Sequence, residues 1–325
     1  MSDMKNYKQS TGLFSETSRR EFLLGGASAG TLLMVGCGVE STTVENVAMK
    51  DRLGVCSWSF QLPMEEVAAE MKKMNLKRIH LALQPFLEGE SRHGLAEGPE
   101  ALEKVKARLA SGEWILSAAM IGFPQEDYST LESIKKTGGV VPDDAWESNK
   151  KIVKAGAKLA AELKAPLLAL HAGFLDESDP VALKKYSDRV KFIIDTCGEA
   201  GVPVAFETGQ ESADDLARFL EKTPNAGVNF DPANMLLYGK GDPIAAVARL
   251  APWIRHVHIK DAVETKTPGT WGTEVPWGDG QVNPKAFFAA LEKAGYKGNF
   301  AIEREGGDNR VADIALAADR ILKMN

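Results

Sequence analysis

Short apolar runs alternate with longer stretches of helical spacing along the chain from Leu53 onward. Apolar runs of about four to eight residues are typical of buried strands, and longer stretches with apolar positions every three or four residues are typical of helices. The predicted strands cover residues 53–58, 78–83, 114–121, 166–171, 203–207, 227–231, 254–260 and 299–303. The predicted helices lie near residues 63–74, 99–111, 146–164, 180–200, 212–222, 243–251, 284–294 and 309–323.

The regular order of these elements predicts the fold. Eight strands, each followed by a helix, in about 275 residues match the number and size of a (β/α)8 TIM barrel, which is an α/β fold. A doubly wound open sheet is the alternative, but the first strand is followed by Trp-Ser-Phe in place of a Gly-rich phosphate-binding turn. We therefore predict a single barrel domain over residues 51–325, with the long connections 122–145 and 262–283 at its catalytic mouth.

The first fifty residues have a different pattern. The pair Arg19-Arg20 precedes an uncharged stretch that is too short to span a bilayer comfortably, because spanning takes about 20 apolar residues. This arrangement resembles a twin-arginine (Tat) export signal. Residues 1–37 are the predicted signal peptide and residues 38–50 a tether. Cys37 ends a loose lipoprotein box, so a lipid-anchored lipoprotein and a periplasmic protein cleaved elsewhere both stay open.

Composition and charge exclude several classes of protein. The chain has 325 residues, a net charge of −6 and 44% hydrophobic residues, as expected of a folded globular protein. An acidic chain is a poor match for nucleic acid, which favours basic surfaces, so no nucleic-acid partner is expected. Three cysteines are too few for a disulfide scaffold. Contact with a membrane is expected only through a lipid on Cys37, and a homo-oligomer remains compatible with the sequence.

Four polar residues end four successive predicted strands in the same phase. Side chains alternate along a strand, so the large apolar residues of these strands face the outer helices and the opposite phase faces the barrel interior. By this rule Glu207, Asp231, His258 and Glu303 all point inward near the carboxyl ends of their strands. We therefore expect three carboxylates and one imidazole to meet at the mouth of the barrel.

Converging carboxylates need a positive partner, because an unpaired buried carboxylate costs several kcal/mol. One divalent cation would satisfy them, and this donor set suits Mn²⁺, Co²⁺, Mg²⁺ or Zn²⁺. An ion-pair network with Lys260, Arg255 and Arg304 is the alternative. The two arginines fall in the outward phase, which favours the cation.

Four strings resemble the xylose isomerase-like TIM barrel family, which includes sugar isomerases, ketose 3-epimerases and endonuclease IV. They are FET at 206–208, NFDPAN at 229–234, HVHIKD at 256–261 and IERE at 302–305. The resemblance implies that Glu207, Asp231, His258 and Glu303 hold one divalent metal ion. It also implies that Glu207 and Glu303 are catalytic, one as general base and one as general acid, in proton transfer through an enediolate.

The implied activity is that of a metal-dependent isomerase or epimerase acting on a small sugar or keto-sugar. Two residues depart from the epimerase pattern: Asn234 stands where those enzymes have a histidine, and Glu264 where they have an arginine. A metal-dependent lyase that carries out β-elimination on 3-keto-glycosides is therefore one alternative. A non-catalytic carbohydrate-binding barrel is the other.

Further residues are candidates for binding the substrate. His171 ends the fourth predicted strand in the inward phase, and Lys260 is inward by the same rule. Asn234 follows the predicted ligand Asp231 by three residues, and Trp58 could provide an apolar wall for a sugar ring. Three of the four also have a structural alternative: a hydrogen bond for His171, a salt bridge to a ligand carboxylate for Lys260, and plain packing for Trp58.

Overall fold

Eight short parallel strands close into a barrel in a computed structural model that describes residues 48–87 and 97–324. The barrel strands are β1 (Leu53–Cys56), β2 (Arg78–Ala82), β3 (Ile115–Met120), β4 (Leu168–Leu170), β5 (Val204–Glu207), β6 (Ala226–Phe230), β7 (Ile254–Ile259) and β10 (Phe300–Ile302). Each strand pairs with its neighbour in sequence, and β10 closes the ring against β1. The predicted (β/α)8 TIM barrel is confirmed.

The helices follow the strands as the sequence predicts. The eight expected ones are α2 (Met64–Lys73), α3 (Pro99–Ala110), α5 (Trp146–Glu162), α6 (Pro180–Glu199), α7 (Ala213–Leu220), α9 (Pro243–Leu250), α10 (Pro284–Lys293) and α11 (Arg310–Leu322). Short helices that the pattern did not predict are α1 (Met49–Arg52), α4 (Leu131–Thr137) and α8 (Pro232–Leu237). Within 48–87 and 97–324, every helix is too short or too polar to cross a membrane.

The N-terminal predictions concern residues that the structure does not describe. The signal peptide at 1–37, the lipidation site Cys37 and most of the tether lie outside the described residues. The end of the predicted tether is described, and it forms part of α1, the helical turn Met49–Arg52 that leads into the first strand.

The two phases of the strands face different surroundings. Large apolar side chains of the outward phase, such as Phe206, Phe230 and Ile259, belong to the layer between barrel and helices. The inward phase forms a second, smaller cluster of mostly small side chains: Cys56, Trp58, Ala82, Ala118, Met120, Leu167, Ala169, Ala205 and Ala301. These small residues leave room inside the barrel for polar side chains, including His80, Asn229 and His256.

The connection from β3 to α5 is held against the barrel mouth by close backbone contacts. Gly139 has φ +55°, and a Cβ there would lie 2.1 Å from the carbonyl carbon of Ala172, so only glycine fits. Arg189 of α6 donates to the backbone oxygens of Val140, Val141 and Pro142. These contacts fix the segment that brings Tyr128 to the mouth.

The connection from β7 to α10 contains an antiparallel hairpin of β8 (Asp261–Val263) and β9 (Thr273–Val275). Asp261 anchors its base, because its carboxylate accepts four backbone N–H groups. These belong to Ala262, Gly278, Gly280 and Val282, at 2.9–3.0 Å. On β9, the carboxylate of Glu274 accepts the N–H groups of Glu305 and Gly306 at 2.9 and 3.1 Å. The hairpin is therefore fixed to the connection that follows β10.

A buried carboxyl outside the mouth makes stability depend on pH. Burial raises the pKa of Glu211 to about 8, against an opposing effect of Lys240 and with a contribution from Asp215. Between pH 4.5 and 8 the folded chain keeps this proton while the unfolded chain loses it, so stability falls as the pH rises through this window. We expect Glu211→Gln to unfold at a higher temperature than the wild type at pH 8.5, by a stability gain on the order of 5 kcal/mol.

Thermal unfolding of both proteins at pH 4.5 and pH 8.5 checks this expectation. At pH 4.5 Glu211 is protonated in the folded chain and about half protonated in the unfolded chain, so the two proteins should differ little there. An equal difference at both pH values would contradict the assignment of the proton to Glu211.

Candidate metal centre

The four residues that end successive strands meet at one point at the mouth of the barrel. Glu207 ends β5, Asp231 follows β6, His258 lies on β7, and Glu303 follows β10. Each has one potential ligand atom that lies within 4.8 Å of those of the other three, and all four residues are at most 4% exposed. From Nδ1 of His258 the distances are 3.1 Å to Glu303, 3.4 Å to Glu207 and 3.5 Å to Asp231. We call these four residues the tetrad.

Asp231 is held by its place at the start of α8. Its Oδ1 accepts the N–H of Asn234 at 2.9 Å and caps the helix. The hydroxyl of Thr208 accepts the N–H of Asp231 at 2.8 Å, which ties this turn to the end of β5. One carboxylate oxygen is thus committed to the helix, and the other, Oδ2, faces the tetrad.

Two atoms of the tetrad lack hydrogen bonds. Among the described residues, the buried atoms Oδ2 of Asp231 and Nδ1 of His258 make no hydrogen bond of good geometry, although they lie 3.5 Å from each other and Nδ1 lies 3.1 Å from Glu303. Buried polar atoms are normally satisfied, so such a pair points to a missing partner. Ligands around an ion with bonds near 2.1 Å lie about 3 Å apart, close to the 3.1–3.5 Å separations around His258. The residues therefore fit a divalent cation held by three oxygens and one nitrogen.

Lys260 is the basic residue beside the tetrad. Its Nζ lies 3.0 Å from Glu303, 2.7 Å from Glu305 and 3.7 Å from Asp231. Of the three cations in the alternative network, it alone contacts the tetrad among the described residues. Arg304 instead pairs with Glu274 and Asp313, and Arg255 donates to backbone carbonyls. Lys260 is therefore the one part of the alternative network that the described structure brings to the tetrad.

The surroundings shift the pKa values of the three carboxyl groups of the tetrad in different directions. Burial raises the pKa of Glu207 to about 7, although the neighbouring His258 opposes this. Burial would also raise the pKa of Asp231, but the charges of Lys260 and His258 outweigh it and lower the value to about 2. The pKa of Glu303 is lowered in the same way, burial being outweighed by His258 and Lys260. A cation among these groups would lower all three pKa values further.

The carboxylates around the imidazole of His258 change its pKa. Burial alone would lower the pKa of His258, but the charge of Glu303 leads a set of neighbours that raise it well above its ordinary value. Without a cation, the carboxylates therefore favour the protonated, positively charged ring. A metal ion must displace a proton from Nδ1 before it can bind that atom.

The four residues predicted to bind substrate surround the tetrad. The indole of Trp58, placed in a 3₁₀ turn just after β1, donates to Glu303 at 2.9 Å. The amide of Asn234 donates to Glu207 at 3.0 Å, and Nε2 of His171 lies 3.6 Å from the same oxygen. Together with Lys260 they line a cavity of about 320 Å³ at the mouth. Their contact with a substrate stays a prediction.

The same cavity has walls that the sequence did not predict. They are Gln61, Tyr128, Leu237, Tyr238, Trp271, Glu274, Glu305 and Arg310. The sequence pattern could have indicated two of these residues. Glu305 lies in the same phase as Glu303, and Tyr238 lies one helical turn after Asn234. Tyr128 and Trp271 come from long connections, where no periodicity indicates direction.

Comparison with known proteins gives the family. The sequence profile of the xylose isomerase-like TIM barrel matches residues 83–324, which is well over half of the chain. The chain belongs to this family. The family resemblance inferred from the four strings is thus confirmed.

Individual proteins are also similar to this chain, with sequence identities below 30%. An inosose dehydratase of Geobacillus thermodenitrificans is 24% identical over 187 residues, or 50% of this chain, and the match spans only 60% of that relative. The crystal structure of a xylose isomerase domain protein from Planctomyces limnophilus has a TM-score of 0.70 and 29% identity, covering 78% of this chain and 89% of that one. A xylose isomerase-like TIM barrel protein from Mycobacterium smegmatis, solved with magnesium, has a TM-score of 0.61 and 17% identity, covering 84% and 95%.

Proposed function

We propose that this protein is a metal-dependent sugar isomerase or epimerase that works by proton transfer through an enediolate. The observation that carries the proposal is the convergence of the tetrad around two buried atoms without hydrogen bonds. The tetrad would hold one divalent ion, and the magnesium bound by the Mycobacterium smegmatis relative supports an ion of this class. Such an ion, when bound, polarises a carbonyl group and makes the adjacent C–H acidic.

Two glutamates of the tetrad would move the proton. The strand order β5–β6–β7–β10 puts Glu207 and Glu303 at the two ends of the tetrad, with Asp231 and His258 between them. Two glutamates in this arrangement can flank a sugar carbon. Glu207 would be ionised at neutral pH once a cation lowers its pKa, and it would act as general base. Glu303 would be the general acid: it would deliver to the other face of the carbon a proton taken up from solvent, and Glu207 would release the removed proton to solvent.

The cavity supports a substrate of one sugar ring. Its volume of about 320 Å³ corresponds to roughly ten water molecules at about 30 Å³ each, which is the scale of a monosaccharide. Trp58, Tyr238 and Trp271 offer aromatic surfaces for the C–H face of a ring. His171 and Lys260 offer polar groups for its oxygens.

A lyase that carries out β-elimination is the second candidate. The similarity to an inosose dehydratase supports it, because dehydration removes a proton beside a carbonyl and expels a hydroxyl group from the next carbon. That reaction needs a group to protonate the leaving oxygen. The ammonium of Lys260 lines the cavity and lies 3.0 Å from Glu303, so it is placed for this step.

Proton exchange in D₂O tests both candidates. The Mn²⁺-loaded protein is incubated with D-fructose, D-tagatose and methyl 3-keto-glucoside, and the products are followed by NMR. We expect deuterium at the carbon next to the carbonyl together with a new sugar isomer. An unsaturated ketone with released methanol would instead support the lyase. A sugar that binds without exchange, equally with and without EDTA, would contradict both and favour a carbohydrate-binding barrel.

A further inference from the structure

Asn229 occupies a position between the strands that carry two members of the tetrad. It lies on β6, two residues before Asp231, and is fully buried. The strand register places it beside Glu207 of β5 and beside His256 of β7. Three polar side chains thus form a row across neighbouring strands in a barrel interior lined mainly by small residues.

The contacts of the Asn229 amide are short and differ at its two ends. Its nitrogen lies 3.2 Å from Oε2 of Glu207 and 3.1 Å from Nε2 of His258. Its oxygen lies 2.9 Å from Nδ1 of His256. The other nitrogen of His256 lies 3.3 Å from the hydroxyl of Ser117 on β3. The row therefore runs from Glu207 on β5 to His256 on β7, and His256 reaches across the barrel interior to Ser117 on β3.

The chemistry of these groups fixes which way the amide points. An ionised carboxylate only accepts hydrogen bonds, so the atom facing Glu207 must be the amide nitrogen. The amide oxygen then faces His256, whose Nδ1 must carry the hydrogen. With Nδ1 of His258 on a cation, its Nε2 carries a proton and donates to Nδ1 of His80, 3.1 Å away. Asn229 is then left to donate to Glu207.

We propose that Asn229 is a positioning residue for Glu207 and that His256 holds Asn229 in the required orientation. The hydrogen bond from Asn229 engages Oε2 of Glu207. The other oxygen, Oε1, accepts from Asn234 and faces His258. Asn229 thus decides which oxygen of Glu207 is presented to the cation and the substrate. This role rests on the proposed metal-dependent function.

Mn²⁺ affinity, measured by isothermal titration calorimetry, tests the role without a substrate. Asn229→Leu keeps the approximate volume and removes the hydrogen bond to Glu207. We expect it to weaken Mn²⁺ binding by about 10–100-fold, the usual loss for a partner of a ligand, and to change the electron paramagnetic resonance spectrum of the bound Mn²⁺. The control is Asn149→Leu, which removes a buried amide that donates to Gly139 and has no contact with the tetrad. It should leave both readouts unchanged.

A pair of variants at His256 keeps the test decisive if Asn229→Leu does not fold. His256→Asn can still donate a hydrogen bond toward Asn229, whereas His256→Leu cannot. We expect His256→Asn to keep an affinity near that of the wild type and His256→Leu to lose several-fold. Equal affinities in these two variants would overturn the role of His256.

The outcomes separate this role from the proposed function. If the wild type binds Mn²⁺ and the folded Asn229→Leu variant binds it equally well with the same spectrum, the positioning role is overturned and the proposed function stands. If the wild type binds none of Mn²⁺, Co²⁺, Mg²⁺ and Zn²⁺, the proposed function itself is overturned, and the positioning role with it.

Discussion

Glu207→Gln is expected to reduce turnover by about 10²–10⁴-fold while the barrel stays folded. A glutamine side chain has nearly the same shape, but its amide cannot take a proton from carbon, and removal of a general base typically costs about 10²–10⁴-fold. The loss should appear in kcat, because the base acts in the chemical step. Deuterium exchange into the keto-sugar, followed by NMR with saturating Mn²⁺, measures it.

Glu211→Gln is the matched control for this variant. Glu211 is also a buried glutamate, four residues further along the chain, and it lies outside the tetrad. The same substitution there should leave exchange at neutral pH unchanged. If Glu207→Gln retained more than a tenth of the wild-type rate at saturating Mn²⁺, Glu207 would not be the base.

Asp231→Asn should weaken Mn²⁺ binding by at least about 100-fold. The asparagine keeps an oxygen to cap α8 through the N–H of Asn234, so the helix should form as before. Its NH₂ group replaces Oδ2, however, and a donor then faces the ion in place of a lone pair. Calorimetric titration of the protein with Mn²⁺ measures the affinity. Thermal unfolding adds a second measure, since an ion at 100 times its Kd stabilises the folded state by about 2.7 kcal/mol.

Asp242→Asn is the control, because Asp242 caps α9 in the same way through the N–H of Ile244 and takes no part in the tetrad. It should bind Mn²⁺ as the wild type does. If Mn²⁺ raised the unfolding temperature of Asp231→Asn as much as that of the wild type, the ion would be bound elsewhere.

Much of the barrel could be predicted from the sequence because the strands and the directions of their side chains depend on residues close together in the chain. Each strand is a short apolar run, and alternation along β5, β6 and β7 separates outward Phe206, Phe230 and Ile259 from inward polar residues. Closed parallel barrels bring the carboxyl ends of all strands to one rim. That is why residues far apart in sequence could be expected to meet.

The remaining features depend on contacts between distant segments, which no local pattern encodes. The hairpin β8–β9 exists because Asp261 collects backbone N–H groups from residues 278–282, some twenty positions away. Tyr128 reaches the cavity because its connection is fixed by Gly139 and Arg189. Asn229 falls in the inward phase of its strand, but its contacts with Glu207 and His256 depend on the strand register, which the sequence alone does not give.

The double attachment of the β8–β9 hairpin bears on how a sugar would enter. Asp261 holds the hairpin at its base and Glu274 holds it against the segment after β10, so the entrance is shaped when the chain folds. A loop that is ordered beforehand loses no conformational entropy when a small molecule arrives. Association should then be rapid and should change the backbone little, with selectivity coming from the fit of a rigid rim.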